Sequence, residues 1–502
     1  MSGITWVDSA RRIAPLAWPV LVGQLSVLAF ATVDTVLVAR TSATDLAALA
    51  IGGAAFVTVF IGFMGVVLAL SPIVGQLFGA GKLHEAGRQA HQAVWLALGL
   101  SVIGSALLLF PYPFLALSKA GPDVADKVRG YLTALAFSLP GSLLFTVYRA
   151  FNTAVSRPKA VMLLQLAALA VKVPLSTALV FGVPGLGLPA LGITGCGIAT
   201  AVAMWSSVAA AMLVLRRDPF YSRFDLLGHG LRRPDFKAIR QQLKLGLPMG
   251  AAILIEVTGF SFMALFIARL GTTPVAGHQI AVNLVSMMFM MPLALASATS
   301  TLVAQSVGAG AHADARRLGW HGLLIGCTLA TLLGAAVYLP REAVLGLYTR
   351  DAAIIAAALP LVAWLAVFHV ADAAQTVAAF VLRAFKIATV PLVIYVSALW
   401  GVGLGGGYML AFNVGGNVPA ALQGARGFWM AATLGLVLAG LALSGFMVWM
   451  FGQLRREMEP PSSLSLHATP EALLARPSQS TPADLAPRPL PPQAPPRPPT
   501  AP

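Results

Sequence analysis

The sequence predicts an all-α polytopic membrane protein: twelve transmembrane helices in two six-helix lobes, related by pseudo-two-fold symmetry along the membrane normal. Of its 502 residues, 58% are hydrophobic and 10% are charged, and the mean hydropathy is +0.82. Soluble domains contain roughly 25% charged residues. Apolar stretches of about 20 residues, the length that crosses a bilayer, recur along the chain. An internal repeat with one constant offset, which pairs position 19 with position 248, runs through several of these stretches.

Hydropathy predicts the position of each span. The apolar runs cover about 13–39, 46–78, 91–113, 131–152, 160–182, 192–215, 245–269, 274–306, 317–340, 356–380, 388–412 and 424–452. The segment 460–502 differs, because it contains 14 of the 34 prolines and no long apolar run. Such a segment cannot bury enough surface to offset its ordering entropy, so we expect residues 456–502 to form a disordered cytoplasmic tail.

The lysines and arginines between the spans predict the orientation. The side with the termini and the even-numbered turns has 21 of them, eight in the 216–244 loop, and the other side has eight. Basic residues concentrate in cytoplasmic loops, so we expect both termini in the cytoplasm. The formal net charge of +15 then indicates topology and contact with anionic membrane lipid, and not a nucleic-acid partner.

The repeat relates the two halves of the chain without a gap. Identities in this register include Pro19 with Pro248, Gln76 with Gln305, and Gly79–Gly81 with Gly308–Gly310. Each half has six spans, an even number, so both halves enter the membrane in the same direction. We predict an N-terminal lobe at 1–215, a basic cytoplasmic linker at 216–244 and a C-terminal lobe at 245–455. A cleft between such lobes can open to either side by rocking.

Acidic residues inside the spans are candidates for cation binding. Of 18 acidic residues, only Asp34, Glu256 and Asp372 lie well inside apolar runs, where a charge costs roughly 2.5–3.5 kcal/mol. Glu256 and Asp372 fall in the middle third of the bilayer within one lobe. Two such carboxylates could bind a sodium ion or share a proton, and His369, one turn before Asp372, could join a proton relay. The alternatives are a structural salt bridge or hydrogen bond for the acids and a packed side chain for the histidine.

The N-terminal lobe has a different pair of charges. Asp34 lies nearer the outer end of the first span, and its repeat counterpart is Met263, so the two lobes are not chemically equivalent. Lys172 is the only lysine within a span and is a candidate ion-pair partner for Asp34 or a proton relay. The sequence leaves open whether such a pair is a lock or a proton-coupled switch.

Polar and polarizable side chains within the spans are candidates for a substrate cavity. Those in the eighth span are Gln279, Asn283, Met287 and Phe289. The alternative is an interhelical hydrogen bond for each amide and a core or lipid-facing position for Met287 and Phe289. Interhelical hydrogen bonding is also the default expectation for the remaining polar residues, which are Gln76, Asn152, His278, Gln305 and Gln375.

No motif indicates an enzyme or a cofactor. Cys196 and Cys327 lie in apolar segments without metal or disulfide spacing, and VGQLFGAGKL lacks the glycine position and the hydroxyl residue of a nucleotide-binding loop. We therefore expect a protein that is not an enzyme and has no cofactor. Its energy source would be an ion gradient, with sodium or protons as the coupling ion.

Several segments together resemble the multidrug and toxic compound extrusion family, and its NorM-type bacterial branch most. They include PVLVGQLSVLAFATVDTVLVAR, SPIVGQLFGAGK, GITGCGIATA, LGLPMGAAILIEV and AGHQIAVNLVSMMFMMPLALA, within a match over most of residues 10–450. The resemblance implies a bacterial inner-membrane exporter of cationic drugs, with cation coupling at Asp34, Glu256 and Asp372. Family members usually have asparagines where Lys172 and Ser176 stand here, so this chain departs from the family beside Asp34.

These inferences combine into one predicted function. We expect a monomeric secondary active transporter that exports small cationic organic compounds in exchange for sodium ions or protons by alternating access. One alternative is a lipid-linked oligosaccharide flippase of the same superfamily, which would favour several cationic residues in the central cavity. Another alternative is a channel or a non-transporting scaffold.

Overall fold

The computed structural model describes residues 5–118, 121–228 and 230–458. In that part of the chain, twelve helices are long and apolar enough to cross a membrane. They are α1 (Trp6–Val38), α2 (Ala43–Gly79), α3 (Leu83–Leu109), α4 (Pro122–Ala154), α5 (Pro158–Phe181), α6 (Ile193–Arg217), α7 (Phe236–Ala268), α8 (Thr272–Gly308), α9 (His312–Tyr338), α10 (Ala352–Ala384), α11 (Thr389–Ala411) and α12 (Ala425–Met458). The predicted all-α fold with twelve spanning helices is confirmed. The predicted tail lies almost entirely outside the described residues.

Irregular segments interrupt or follow a few of these helices. α2 consists of Ala43–Val67 and Leu70–Gly79, and the middle of α11, Val396–Gly406, is π-helical. Short helices follow α3 and α9 at Tyr112–Ser118 and Arg341–Tyr348. The two short helices begin at positions that the repeat pairs with each other, so the repeat in the sequence extends to these elements.

Several helices begin before the apolar runs that predict them. α1 begins at Trp6, where the Thr5 hydroxyl accepts a hydrogen bond from the Asp8 N–H at 3.2 Å and the two residues form a capping box. α7 begins at Phe236, and the Asp235 carboxylate accepts from the Lys237 N–H at 3.0 Å. Hydropathy detects only the apolar part of such a helix, since the capped first turns are polar.

The helices alternate in direction, which defines two faces of the molecule. We call the side on which α1 begins and α12 ends the terminal face. The turns at 80–82, 155–157, 309–311 and 385–388 also lie there, because an even number of spans precedes each of them. The remaining interhelical turns, apart from the 218–235 segment, lie on the opposite face.

Most of the buried hydrophobic clusters lie within one repeat, but two of them contain residues from both repeats. One cluster of buried residues is built from α2, α3, α4 and α6 around Leu132 and Leu135. A second cluster, in the C-terminal half, also includes Ile13 of α1. In a third, Met249 of α7 packs with Ala69 of α2. The main contacts between the lobes are therefore the pairs α1 with α8 and α2 with α7, which are related by the repeat, and the pair α2 with α8.

The basic segment between the lobes is folded against the N-terminal half. Trp95 Nε1 donates to the Arg232 carbonyl at 2.8 Å, and the Gln92 side chain accepts from the Asp235 N–H at 2.7 Å. Tyr221 is buried and donates to Asn152 Oδ1 at 2.6 Å. These bonds anchor the segment along its length. The boundaries 1–215, 216–244 and 245–455 stay predictions.

An ion pair between Arg157 and Asp218 holds the start of this segment. The Phe220 N–H donates to Asp218 Oδ1 at 2.9 Å. This backbone hydrogen bond, followed by the bond from Arg157, lowers the pKa of the Asp218 carboxyl below its ordinary value. The carboxylate is therefore the stable form at neutral pH.

Candidate cation-binding site

Glu256 and Asp372 lie on two helices of the C-terminal lobe that run in opposite directions. Glu256 is as far from the start of α7 at Phe236 as Asp372 is from the start of α10 at Ala352. At about 1.5 Å per residue, both carboxyl groups therefore lie deep within the membrane-spanning part. Asp372 is 4% exposed, whereas Glu256 is half-buried.

A single glutamine side chain connects these two carboxylates. Gln375 Nε2 donates to Glu256 Oε1 at 3.0 Å and to Asp372 Oδ1 at 2.9 Å. The two accepting oxygens are thus no farther apart than the sum of these distances. The Tyr395 hydroxyl donates to Gln375 Oε1 and so fixes the orientation of the amide. The second oxygen of each carboxylate does not take part in these bonds.

A small pocket of about 40 Å³ lies beside Glu256. That volume exceeds the 10–15 Å³ that one water molecule needs. Glu256 is the only charged side chain in its wall, which otherwise consists of apolar residues and two glycines. The wall residues are Gly259, Phe260, Met263, Phe368, Leu399, Gly403, Leu404, Ala432 and Leu436. In this pocket the Glu256 carboxylate would therefore be the one charged group available to a small hydrated cation, because the apolar wall cannot solvate an ion.

The π-helical segment of α11 forms one side of this pocket. Leu399, Gly403 and Leu404 belong to it, and Trp400 Nε1 donates to the Ile255 carbonyl at 3.0 Å. π-helical turns are rare and occur frequently at functional sites. Here the widened helix packs directly against the turn of α7 that contains Glu256.

His369 lies near the carboxylates but is not hydrogen-bonded to them. It is 1% exposed, and its Nε2 has no hydrogen-bond partner among the described residues. Among the described residues, no hydrogen bond therefore connects it to Asp372. Its proposed relay role stays a prediction.

Asp34 and Lys172 form a buried ion pair in the N-terminal lobe. Lys172 Nζ lies 2.8 Å from Asp34 Oδ2, and the side chains are 2% and 9% exposed. The ammonium also lies 4.6 Å from the centre of the Phe30 ring. Asp34 Oδ1 is buried and has no hydrogen-bond partner in the described part of the chain. The pair connects α1 to α5 and is separate from the carboxylates of the other lobe.

The four cavity candidates of α8 lie outside both groups. Gln279, Asn283 and Met287 are exposed and share one helix face at four-residue spacing, while Phe289 is half-buried. Asn283 Oδ1 accepts from the Tyr348 hydroxyl at 2.9 Å. None of the four lines the pocket beside Glu256. Their role in a substrate cavity stays a prediction.

Three site residues have roles that sequence reasoning missed. Gln375 is predicted only as an interhelical hydrogen bonder, and no pattern distinguishes Tyr395. Arg383 is counted among the basic residues that set topology, yet it is 5% exposed with its guanidinium 4.8 Å from the Phe380 ring centre. The repeat contains a weak signal for Arg383, because its counterpart in the N-terminal half is Ala154.

Comparison with known proteins supports a common family. The MatE family model matches residues 19–177 and 248–409, two segments whose first residues, Pro19 and Pro248, are paired by the internal repeat. The chain is 40% identical over 439 residues to the probable multidrug resistance protein NorM of Aromatoleum aromaticum, covering 86% of this chain and 92% of that protein. It is 34% identical over 440 residues to the multidrug resistance protein MdtK of Pectobacterium atrosepticum, covering 87% and 95%.

Solved structures share the fold at low sequence identity. The Vibrio cholerae MATE transporter VcmN in the bent form superposes with a TM-score of 0.77 at 19% identity, covering 89% of this chain and 98% of that chain. A multidrug resistance MATE family transporter in an outward-facing conformation gives 0.79 at 17% identity, covering 91% and 99%. The arrangement of helices described above is therefore one that known structures share.

Proposed function

The chain belongs to the MatE family, and from that premise we propose that it exports cationic organic compounds across a bacterial inner membrane in exchange for sodium ions or protons. The curated relatives are named as multidrug resistance proteins. Both termini would face the cytoplasm, so the terminal face would be the cytoplasmic face. The chain would act as a monomer in membrane lipid, with no cofactor and no enzymatic activity.

The observation that supports this proposal most is the Gln375-bridged pair of Glu256 and Asp372. Buried carboxylates need a positive partner, and neither of these two has a lysine or arginine within salt-bridge distance among the described residues; buried Arg383 acts on Glu256 only from farther away. At a separation of no more than about 6 Å, two full negative charges repel by at least roughly 3 kcal/mol at an effective dielectric near 20. A bound sodium ion, a proton or an organic cation would relieve that repulsion.

Exchange follows if the same two carboxylates bind the inorganic coupling ion and the organic substrate in turn. The pocket beside Glu256 has room for a few water molecules or one small ion, but not for a drug-sized molecule. Binding of the inorganic cation neutralises the carboxylates and so removes their attraction for an organic cation. Each cation therefore displaces the other, which is the requirement for antiport.

The Asp34–Lys172 pair has a different proposed role. Lys172 already supplies a positive charge to Asp34 at 2.8 Å, so that carboxylate does not need an external cation. We propose that the pair locks α1 to α5, and that coupling belongs to the C-terminal lobe. The alternative is a proton-coupled switch, in which release of a proton from Lys172 would free Asp34 for an incoming cation.

Dye transport into inverted membrane vesicles tests the proposal. A fluorescent cationic dye should enter wild-type vesicles only when a sodium or proton gradient is applied, and testing each gradient separately identifies the coupling ion. Asp372→Asn and Glu256→Gln should each abolish this uptake. Glu342→Gln, at an exposed position outside the lobes' cores, is the matched control. Full uptake by both pocket variants would refute the site assignment.

The same preparation separates the alternative functions. A flippase for lipid-linked oligosaccharides would favour several cationic residues at its cavity, whereas the wall of the pocket beside Glu256 contains an acid and no lysine or arginine. A channel would give single-channel current in planar bilayers. An antiporter would give dye exchange without such currents.

A further inference from the structure

The two repeats cross at the terminal face through matching glycines. α2 ends at Gly79 and α8 ends at Gly308, the residue that the repeat pairs with it. A Cβ atom on Gly79 would lie 1.9 Å from the backbone oxygen of Gln305, and one on Gly308 would lie 1.8 Å from that of Gln76. Neither position can hold a larger residue unless the helices separate. The two helix ends are therefore in direct backbone contact.

Two glutamine side chains extend past this crossing and bond the opposite lobe. Gln76 Nε2 donates to the carbonyl of Ala384, the last residue of α10, at 2.8 Å. Gln305 Nε2 donates to the carbonyl of Ala154, the last residue of α4, at 2.7 Å and to Ser156 Oγ at 2.8 Å. The last carbonyls of a helix have no intrahelical donor. Each glutamine thus caps a helix of the other lobe. The two glutamines and the two capped helices are related by the repeat, and the accepting carbonyls lie one residue out of register.

Close contact continues from this crossing toward the middle of the molecule. A Cβ atom on Gly65 of α2 would lie 2.5 Å from the Gly250 Cα of α7, and one on Gly246 would lie 2.4 Å from the Val66 carbonyl oxygen. No water-filled path can pass between backbones in such contact. The terminal-face half of this α2–α7 contact is therefore closed.

We propose that Gln76 and Gln305 form a two-fold-related latch that holds the cytoplasmic end of the interlobe cleft closed. This inference rests on the proposed transport function and deepens it, because it assigns the residues that must separate when the cleft opens to the cytoplasm. Ala384 ends the helix that contains Asp372 and Gln375. One helix therefore connects the cation pair to the latch.

Neutral amide bonds suit a contact that breaks in every transport cycle. The net contribution of a hydrogen bond between neutral groups is small, whereas breaking a buried ion pair leaves a charge without a partner. Loss of one such bond should change the equilibrium between closed and open forms by about fivefold. Loss of the bonds from both glutamines should change it by about 25-fold or more.

A cysteine placed within the closed contact reports the state of the latch. Ala304 of α8 is 1% exposed, and its Cβ would lie 2.9 Å from a Cβ on Gly75 of α2. The reporter variant carries Ala304→Cys as its single cysteine, because Cys196 and Cys327 are replaced by alanine. Inverted vesicles that contain this variant are treated with a membrane-impermeant maleimide. The labelling rate is then compared with and without Gln76→Leu and Gln305→Leu.

Faster labelling in the latch variants would support the proposal. We expect about a fivefold increase in Gln76→Leu, a larger one in Gln305→Leu, which loses two hydrogen bonds, and the largest in the double variant. Gln241→Leu, at an exposed position of α7, should cause no change. Equal labelling rates in wild type and both single variants would overturn the latch. The single variants decide the matter if the double variant does not fold.

The labelling needs neither substrate nor coupling ion, so its outcome is separable from the proposed function. If labelling is unchanged while Asp372→Asn abolishes dye uptake, the transporter assignment stands and the latch is wrong. If the latch variants label faster while Asp372→Asn and Glu256→Gln retain full uptake, the latch stands and the coupling site is wrong.

Discussion

Removing the positive charge from the buried Asp34–Lys172 pair should strongly destabilise the N-terminal lobe. At the observed separation of 2.8 Å, the attraction between the two charges is about 6 kcal/mol at an effective dielectric near 20. Part of this attraction offsets the cost of burying both groups. Breaking such a pair by removing one partner typically costs about 3–5 kcal/mol, because the other charge is left without a partner. Lys172→Met should therefore lower the stability by that amount.

A double-mutant cycle separates the ion pair from other effects of the substitution. Asp34→Asn combined with Lys172→Met removes both charges while keeping similar volumes, and it should recover most of the stability that either single variant loses. Thermal unfolding in detergent, followed by tryptophan fluorescence, gives the midpoints of the four proteins. A double variant whose loss equals the sum of the single losses would refute the pairing argument.

The same four proteins test the proposed division of roles between the lobes. If the pair is a lock, the double variant should retain gradient-driven dye uptake, since the C-terminal carboxylates are unchanged. If uptake is lost while the protein remains folded, the Asp34–Lys172 pair is a coupling switch and the lock proposal is wrong.

Four further substitutions have outcomes that follow from specific contacts. Gln375→Leu removes the donor to both carboxylates and should reduce dye uptake by tenfold or more, whereas Tyr395→Phe removes one neutral hydrogen bond and should reduce it about fivefold, both measured as initial rates in vesicles. Gly65→Val inserts a side chain where a Cβ would already lie 2.5 Å from Gly250, so it should stop transport while the dye still binds in equilibrium titrations. Asp218→Asn should lower the unfolding midpoint by a constant amount above about pH 5, and the difference should shrink as the pH falls below about 4, because a carboxyl with a lowered pKa loses its contribution only as pH falls through that pKa.

The architecture could be predicted because it follows from patterns that a bilayer imposes on the sequence. Apolar runs of sufficient length predict the twelve helices, and the constant offset predicts that equivalent elements recur. The match between Tyr112–Ser118 and Arg341–Tyr348 shows that this recurrence extends to a short helix that hydropathy does not detect. Helix ends were less predictable, because they depend on caps such as Thr5 and Asp235 that lie outside the apolar runs.

Parts of the candidate site were predictable from burial cost alone. A charged residue in an apolar span is expensive, and that cost draws attention to Glu256, Asp372, Asp34 and Lys172. Depth along the helices places Glu256 and Asp372 at one level, and in the structure one amide bonds to both. Gln375 itself differs little from other polar residues in spans, since an amide does not reveal its partner in the sequence.

Other features depend on packing between distant segments and have no local signal. The basic segment after α6 follows a hydropathy pattern typical of a solvated loop, yet Trp95 and Gln92 bind its backbone. Arg383 appears as an ordinary basic residue near a helix end, but neighbouring helices bury it. The latch was visible only in part, because the repeat aligns Gln76 with Gln305 without showing that each reaches the opposite lobe.

Equilibrium binding of a fluorescent organic cation to the purified protein tests the central claim most directly. If the Glu256–Asp372 pair serves both cations in turn, raising the coupling ion (sodium at fixed pH, or protons at fixed sodium) should weaken dye binding at least tenfold in the wild type. The effect should disappear in Asp372→Asn and persist in Glu342→Gln. Dye affinity in the wild type that does not change with either ion would contradict the account.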